Sequence, residues 1–265
     1  MLKQPPQKGR FPGLRLTYVV LVGILLFSGC SESPSLEVTR RFHSAEKVMK
    51  QAESPADYQR AATAYQEILD GGFYSGVVLF NQGNAWMQAG RRGRAIASYR
   101  QAKRLLPRDP YLDANLRQAI GDQPEQDAHL LDYVFFWQAS TTVQEMSMTA
   151  TILLLLAMLA SMCVQVKYKP TIARVVSIVS FVTLALVAGS LFRDWWQHEG
   201  VEHGVVVVSE VEARKGASNN HPVSFNQALM EGTEFTVIKG MDGWLHVQVG
   251  NKGRGWIPER DAVTW

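Results

Sequence analysis

Residues 148–192 read MTATILLLLAMLASMCVQVKYKPTIARVVSIVSFVTLALVAGSLF, and this stretch decides the architecture. Met148 to Val166 carries no charge and Val175 to Phe192 carries none. Between the two runs lie Lys167, Lys169 and Arg174, with no acidic residue. At 1.5 Å per residue, helices of this length reach roughly 27–29 Å, about the thickness of a hydrocarbon core. The sequence therefore predicts two transmembrane helices, over 147–166 and 175–196, joined by a basic turn at 167–174. Short loops rich in Lys and Arg resist translocation, which puts the turn in the cytoplasm and both flanking segments on the opposite side. Pro170 suits a tight inter-helix loop, and Arg174, one turn inside the second helix, can snorkel back to the headgroups.

Toward the N-terminus, Lys3, Lys8, Arg10 and Arg15 precede an apolar run from Leu16 to Phe27 that ends in Ser28, Gly29 and Cys30. A basic region, an apolar core and a small-residue ending make residues 1–30 an export signal rather than a fold element. The ending resembles a bacterial lipobox, with Phe27 in place of the usual leucine. Lipidation of Cys30, cleavage nearby and retention as an uncleaved anchor all remain open.

The chain is formally +3, but residues 1–29 hold four basic and no acidic residues, which leaves 23 basic against 24 acidic. Setting aside the three cations of the cytoplasmic turn leaves the exported parts near −4. This balance argues against nucleic acid as a partner, because phosphate binding needs a basic surface. The two cysteines, Cys30 and Cys163, lie at the signal border and inside a membrane helix, so no intrachain disulfide is predicted.

Residues 31–41 are predicted to form a polar tether. Helical periodicity follows: Phe42, Ala45, Val48, Met49 and Ala52 share one face, and Ser54-Pro55 stops the run. Asp57 is placed to cap a second helix carrying Tyr58, Ala61, Ala62, Tyr65, Ile68 and Leu69, ended by Gly71-Gly72. Next, Leu79, Gly83 and Trp86 fall in one helix, Ala95, Tyr99 and Ala102 in another, and Pro107 closes the unit. These seven positions resemble the 34-residue tetratricopeptide pattern in register, with Gln82 where a leucine is usual. Stepping back 34 residues puts Ala61 and Tyr65 on the alanine and aromatic positions, a degenerate earlier copy. A capping helix carries Leu112, Leu116 and Ile120. The resemblance implies a helical solenoid over 42–121 that binds peptides or partner proteins, with Asn81, Asn84, Met87, Asn115 and Arg117 on the binding face. Arg91, Arg92 and Arg94 read as a solvated turn.

Residues 122–146 form an amphipathic aromatic linker. Tyr133, Phe135, Phe136 and Trp137 suit an interfacial helix at the headgroups, where tyrosine and tryptophan concentrate, or equally a segment packed under the solenoid, and Trp195-Trp196 reads as a matching belt. The tail, 204–265, is β-like: Val205–Val208 is a β-branched run, and turn signals stand at Gly243 and Gly250–Gly253. Its order of segments, including Gly243-Trp244-Leu245-His246-Val247 and Gly255-Trp256-Ile257, resembles a bacterial SH3-like domain, with Gly243, Trp244, Gly255 and Trp256 in and around the core. His246 is predicted on the strand surface.

The fold class is thus multi-domain: an α-helical tetratricopeptide-type solenoid, a two-helix transmembrane hairpin and a small all-β SH3-like barrel. Signal, repeat, hairpin and tail in this order resemble the BatE-type proteins of the Bat aerotolerance group. That resemblance implies a multi-pass protein of the bacterial inner membrane, with repeat and barrel on the periplasmic side. It also implies work beside von Willebrand A-domain membrane proteins and a MoxR-type ATPase in envelope or oxidative stress. The chain has no GxxxxGK(S/T), HExxH or CxxC motif, and His198, Glu199 and His203 lack metal-ligand spacing. No catalytic, cofactor or metal residue is predicted. A non-enzymatic scaffold that binds protein partners is the first expectation, and peptidoglycan binding by the tail is the alternative.

Overall fold

The computed structural model describes residues 34–121, 134–166, 170–198 and 200–265. The expected signal and Cys30 lie outside these residues, as do Lys167 and Lys169. The described residues hold seven α-helices and seven β-strands and divide into two bodies.

The first body, residues 143–191, is built from α6 (Val143–Gln165) and α7 (Pro170–His198), whose last turns from Phe192 belong to the second body. Both helices are long and apolar enough to cross a membrane, with mean hydropathies of 2.1 and 2.4. Their apolar residues point outward: Ile152, Leu159, Ile178 and Phe181 are exposed. The buried residues are mostly small, namely Ala157, Ala160, Ala173, Ser180 and Ser190, with Met146 and Val187 beside them. Ser161 Oγ lies 3.0 Å from Ser177 Oγ, and Ser190 Oγ donates to Met146 Sδ at 3.4 Å. This inside-out arrangement suits lipid, where close approach through small residues and shared hydroxyls replaces a hydrophobic seam. Pro170 does not sit in the inter-helix loop but opens α7, where its missing N–H has no intrahelical partner to lose. Arg174 is correspondingly further inside the helix, and α6 begins at Val143, inside the expected linker.

The second body starts with α1 (Leu36–Lys50), so helix occupies most of the expected tether. Ser35 explains the early start, since its Oγ accepts from Val38 N at 3.2 Å. Helix α2 (Pro55–Asp70) is capped by Ser54 rather than Asp57. Asp57 is the reciprocal member of a capping box: its Oδ2 accepts from Ser54 N at 3.0 Å while Ser54 Oγ accepts from Asp57 N at 3.3 Å. The Ser54 hydroxyl and backbone hold the Asp57 carboxyl below its ordinary value. Helices α3 (Gly76–Gln88), α4 (Arg92–Leu105) and α5 (Pro110–Ile120) follow, each packed on its predecessor.

The tail forms a five-stranded antiparallel sheet in the order β6-β5-β4-β1-β7, with a separate β2-β3 pair. The strands are β1 (His203–Val206), β2 (Glu210–Val211), β3 (Leu229–Met230), β4 (Glu234–Met241), β5 (Trp244–Val249), β6 (Gly253–Pro258) and β7 (Ala262–Thr264). Asp242 and Gly243, with φ of 52° and 76°, make the tight β4–β5 turn, whose two left-handed residues match the sheet twist. Val206, Val211, Phe235, Leu245, Val247 and Ile257 fill the interior.

Helices and sheet do not form two separate cores. Val205 is fully buried among Leu79, Ala95, Ile96 and Tyr99, and Val207, Val263 and Trp265 pack on the same cluster. One face of β1 therefore covers α4 while its other residues face the β interior. Gly93 permits this approach, because a Cβ there would lie 2.2 Å from Val206 O. Charge reinforces it: Arg100 Nε and Nη2 donate to the Glu234 carboxylate at 2.8 and 2.9 Å. Gly93 N donates to Glu231 Oε1 at 2.9 Å, setting a carboxylate at the positive end of α4.

Candidate partner-binding surfaces

Burial in the helices recurs at an interval of 34 residues. Ala45 and Leu79, Ala61 and Ala95, Tyr65 and Tyr99, Ile68 and Ala102, Val78 and Leu112, and Ala85 and Ala119 are all buried. Gly83 lets α3 approach α4, since a Cβ there would meet the Tyr99 ring at 2.5 Å. The Tyr65 and Tyr99 hydroxyls are pushed up to about 12, in both cases chiefly by burial. Pro107 lies in the α4–α5 turn, where its carbonyl accepts from Lys103 Nζ at 2.7 Å and Lys103 also pairs with Asp113. Trp86 is half-buried between the α1–α3 contacts and the α4 cluster.

Gln82, the departure from the usual leucine, is 3% exposed and fully engaged. Its Nε2 donates to Gln66 Oε1 at 2.7 Å and its Oε1 accepts from Ser98 Oγ at 2.9 Å. A polar bridge thus ties α2, α3 and α4.

Of the residues expected on the binding face, two are brought together for an internal purpose. Asn84 Oδ1 accepts from Asn115 Nδ2 and from Tyr99 Oη, each at 2.8 Å, which locks α3 to α4 and α5. Met87 packs on the core, Asn81 is half-buried, and Arg117 is exposed. Only Asn81 and Arg117 are left as polar surface from that set.

Two clefts border the β domain instead. The first, about 340 Å³, is walled by Trp86, Val207 and Val208 and carries Arg91, Arg94 and Arg260, with Gln59 from α2. The Arg94 guanidinium stands 5.2 Å from the Trp86 ring centre. The second, about 540 Å³, has Trp244 and Pro258 with Asn219, Glu259 and again Arg260. Arg91 and Arg94 are exposed, as expected of a solvated turn, whereas Arg92 is half-buried and bonds the last carbonyls of α5, those of Ala119 and Ile120. A signal was present: residues 71–108 hold seven basic residues and no acidic one, so acids had to come from elsewhere in the chain.

On the sheet, Gly243 makes the turn, Trp244 is half-buried beside the second cleft, and Trp256 is buried. Gly255 is needed because a Cβ would lie 2.8 Å from that of Ala213. His246 is not a plain surface residue: it stacks on Trp256 at 4.8 Å and 13°, and its buried Nδ1 has no hydrogen-bond partner. Burial, then the Lys239 and Arg254 charges, hold its pKa below the ordinary histidine value. Lys239 Nζ lies 5.2 Å over the same Trp256 ring.

Of the aromatic linker, the described residues hold helical Val134 and a 3-10 helix, Phe136–Ser140, while the part of the expected interfacial helix through Tyr133 lies outside them. Arg193, near the end of α7, reaches it by donating to Gln138 Oε1 at 2.5 Å and standing 5.8 Å over the Phe135 ring. Phe192, Trp195 and Trp196 cluster beside Arg193 in sequence, so aromatic residues from both ends of the hairpin share one body. Glu199 and the His198 side chain lie outside the described residues, and among those described no group of three His, Cys, Asp or Glu is arranged to hold a metal. No family model, curated protein or solved structure matches the chain.

Proposed function

We propose that the chain is a membrane-anchored, non-enzymatic scaffold or adaptor of the bacterial cell envelope, binding protein partners through tetratricopeptide-type repeats. The observation that carries this reading is the 34-residue recurrence of buried positions through α1–α5. Stacked units of that kind act by offering extended faces to peptides and proteins. Two helices apolar enough to span a bilayer support the anchoring, and the cations Lys167, Lys169 and Arg174 between the two apolar runs favour a reading with the helices and β domain on the periplasmic side. The layout resembles BatE-type aerotolerance proteins, which makes von Willebrand A-domain membrane proteins and a MoxR-type ATPase system the partners to look for.

Deleting α1–α5 would uncover Val205 and damage the β domain, so the test uses the intact chain and surface substitutions. In a crosslinked pull-down from native membranes, the intact chain is expected to recover A-domain membrane proteins, and Asn81→Arg/Arg117→Glu to recover fewer. Recovery of no protein partner by the intact chain overturns the adaptor reading.

The second cleft favours a second reading, in which an SH3-like domain binds peptidoglycan. Trp244 beside Pro258, with Asn219 and Glu259 at hand, supports it by offering an aromatic shelf with polar groups to a wall peptide. Retention of the chain on isolated sacculi, abolished by Trp244→Ala, would favour this reading over the first.

A further inference from the structure

The basic helix α4 divides its cations by task. Arg92 bonds the C-terminal carbonyls of α5, Arg100 is held by Glu234, and Lys103 pairs with Asp113. Among the described residues Arg91 and Arg94 have no acidic partner. Both are exposed and both line the first cleft. Arg260 reaches the same cleft from the β domain with its side chain 83% exposed, its nearest acid being its own neighbour Asp261 at 3.7 Å. Three guanidinium groups from two parts of the fold thus face one concavity whose other walls are Trp86, Val207 and Val208.

Guanidinium is the cation best suited to gripping carboxylates through paired hydrogen bonds, and Arg94 stands over the Trp86 ring at 5.2 Å, a cation–π contact that holds it at the cleft. The site already shows what it accepts: one residue from Arg94, Gly93 N is occupied by the Glu231 carboxylate. Filling that amide removes the backbone donor that a phosphate would seek at the end of a helix. The concave shape and the apolar wall fit side chains of a chain segment rather than a flat lipid surface. Arg260 also lines the second cleft, so the acidic anchor point adjoins the Trp244–Pro258 shelf.

We propose that the seam between α4 and the β domain is a docking groove for an extended acidic segment of a partner protein. Its carboxylates are held by Arg91, Arg94 and Arg260, and an aromatic or proline side chain lies against Trp244. This inference rests on the adaptor reading and moves partner recognition from the face of α3 and α5 to a surface that exists only because helices and sheet share a core.

The test uses the full chain in lipid nanodiscs and a displayed random dodecapeptide library, with Arg91→Glu/Arg94→Glu as the counter-selected protein. Two added glutamates would flank the Glu231 carboxylate on Gly93 N, so binding is measured as well in Arg91→Gln/Arg94→Gln, which adds no like charge and is expected to bind more weakly too, with amide exchange in β1 checking the fold of both variants. Enriched peptides are expected to be rich in Asp and Glu. A synthesised representative is expected to bind the double variant at least about tenfold more weakly, and Arg104→Glu, an exposed position of α4 outside the cleft, within about twofold of the unaltered chain. Three results overturn the proposal: enriched peptides no more acidic than the library, equal binding to the double variant, or equal loss in Arg104→Glu. A native-membrane pull-down separates the two readings. Partners recovered equally by the double variant remove the groove and leave the adaptor standing, whereas no partner with the intact chain removes the adaptor itself.

Discussion

Arg100 on α4 holds Glu234 on β4 through two parallel hydrogen bonds across 134 residues of chain. The pair is partly shielded, with side chains 40% and 20% exposed, so solvent screening keeps its contribution modest. Removing one partner leaves the other facing the junction without its counter-charge. Glu234→Ala is expected to lower stability of the second body by about 1–2 kcal/mol, and a cycle with Arg100→Ala to show coupling of about 1 kcal/mol. Amide exchange at Val205 and Val206 reads both. Additive single effects would mean that the pair contributes nothing to the junction.

Gly93→Ala tests the same junction sterically. The new methyl group would meet the Val206 carbonyl, a backbone atom that can move only by lifting β1 from α4. A loss of about 1–3 kcal/mol is expected, with faster exchange in β1 than in α2. Gly90→Ala, where nothing lies near but φ is 71°, is expected to cost about 1 kcal/mol and to leave β1 protected.

Gln82 separates two ways of losing a buried bridge. Gln82→Ala opens a cavity and strips Ser98 of a partner, a loss of about 1–3 kcal/mol. Gln82→Leu restores apolar filling, and Ser98 Oγ still has the Arg94 carbonyl at 3.2 Å, so thermal unfolding is expected within about 1 kcal/mol of the unaltered chain. Equal destabilisation by both would show that the amide bridge, rather than volume, holds α2 to α4.

Stability is expected to fall at both ends of the pH range. His246 is held below its ordinary value of 6.5 in the fold, so the unfolded chain binds its proton first. Its contribution is present above 6.5 and is lost as pH falls from there toward the folded pKa. Tyr65 and Tyr99 run the other way: raised from 10.0 to about 12, they favour the fold below 10 and lose that contribution as pH rises toward 12. Unfolding temperature against pH reads both limbs. His246→Phe is expected to flatten the acid limb, and Tyr99→Phe to weaken the alkaline one.

The spacing of Ala61, Tyr65, Ala95 and Tyr99 made the helices legible, because each residue's own periodicity encodes which face is buried. The two apolar helices were legible from the absence of charge alone. The cap of α2 was misplaced by three residues because Ser54 and Asp57 are both good caps and act together. What stayed hidden was the junction. Val205–Val208 is a continuous apolar run, the mark of a strand covered on both faces, but sequence does not say which element supplies the second cover. The excess of cations on α4 called for acids, yet Glu231 and Glu234 stand on the far side of the hairpin. Arg91 and Arg94 could be told from Arg92 and Arg100 only by position in space.

The junction between α4 and β1 also bears on how the molecule is made. For helices α6 and α7 spanning a bilayer, as proposed above, residues before α6 and after α7 meet only where the chain returns to the side it left, which requires an even number of crossings. A hairpin inserted with one helix across the bilayer and the other left outside would strand Glu234 from Arg100 and Val205 from Ile96. Until β1 and β7 are synthesised, the face of α4 that meets Val205 and Val263 stays bare. A chain whose β1 fails to reach α4 therefore carries an uncovered apolar helix face that proteases can find.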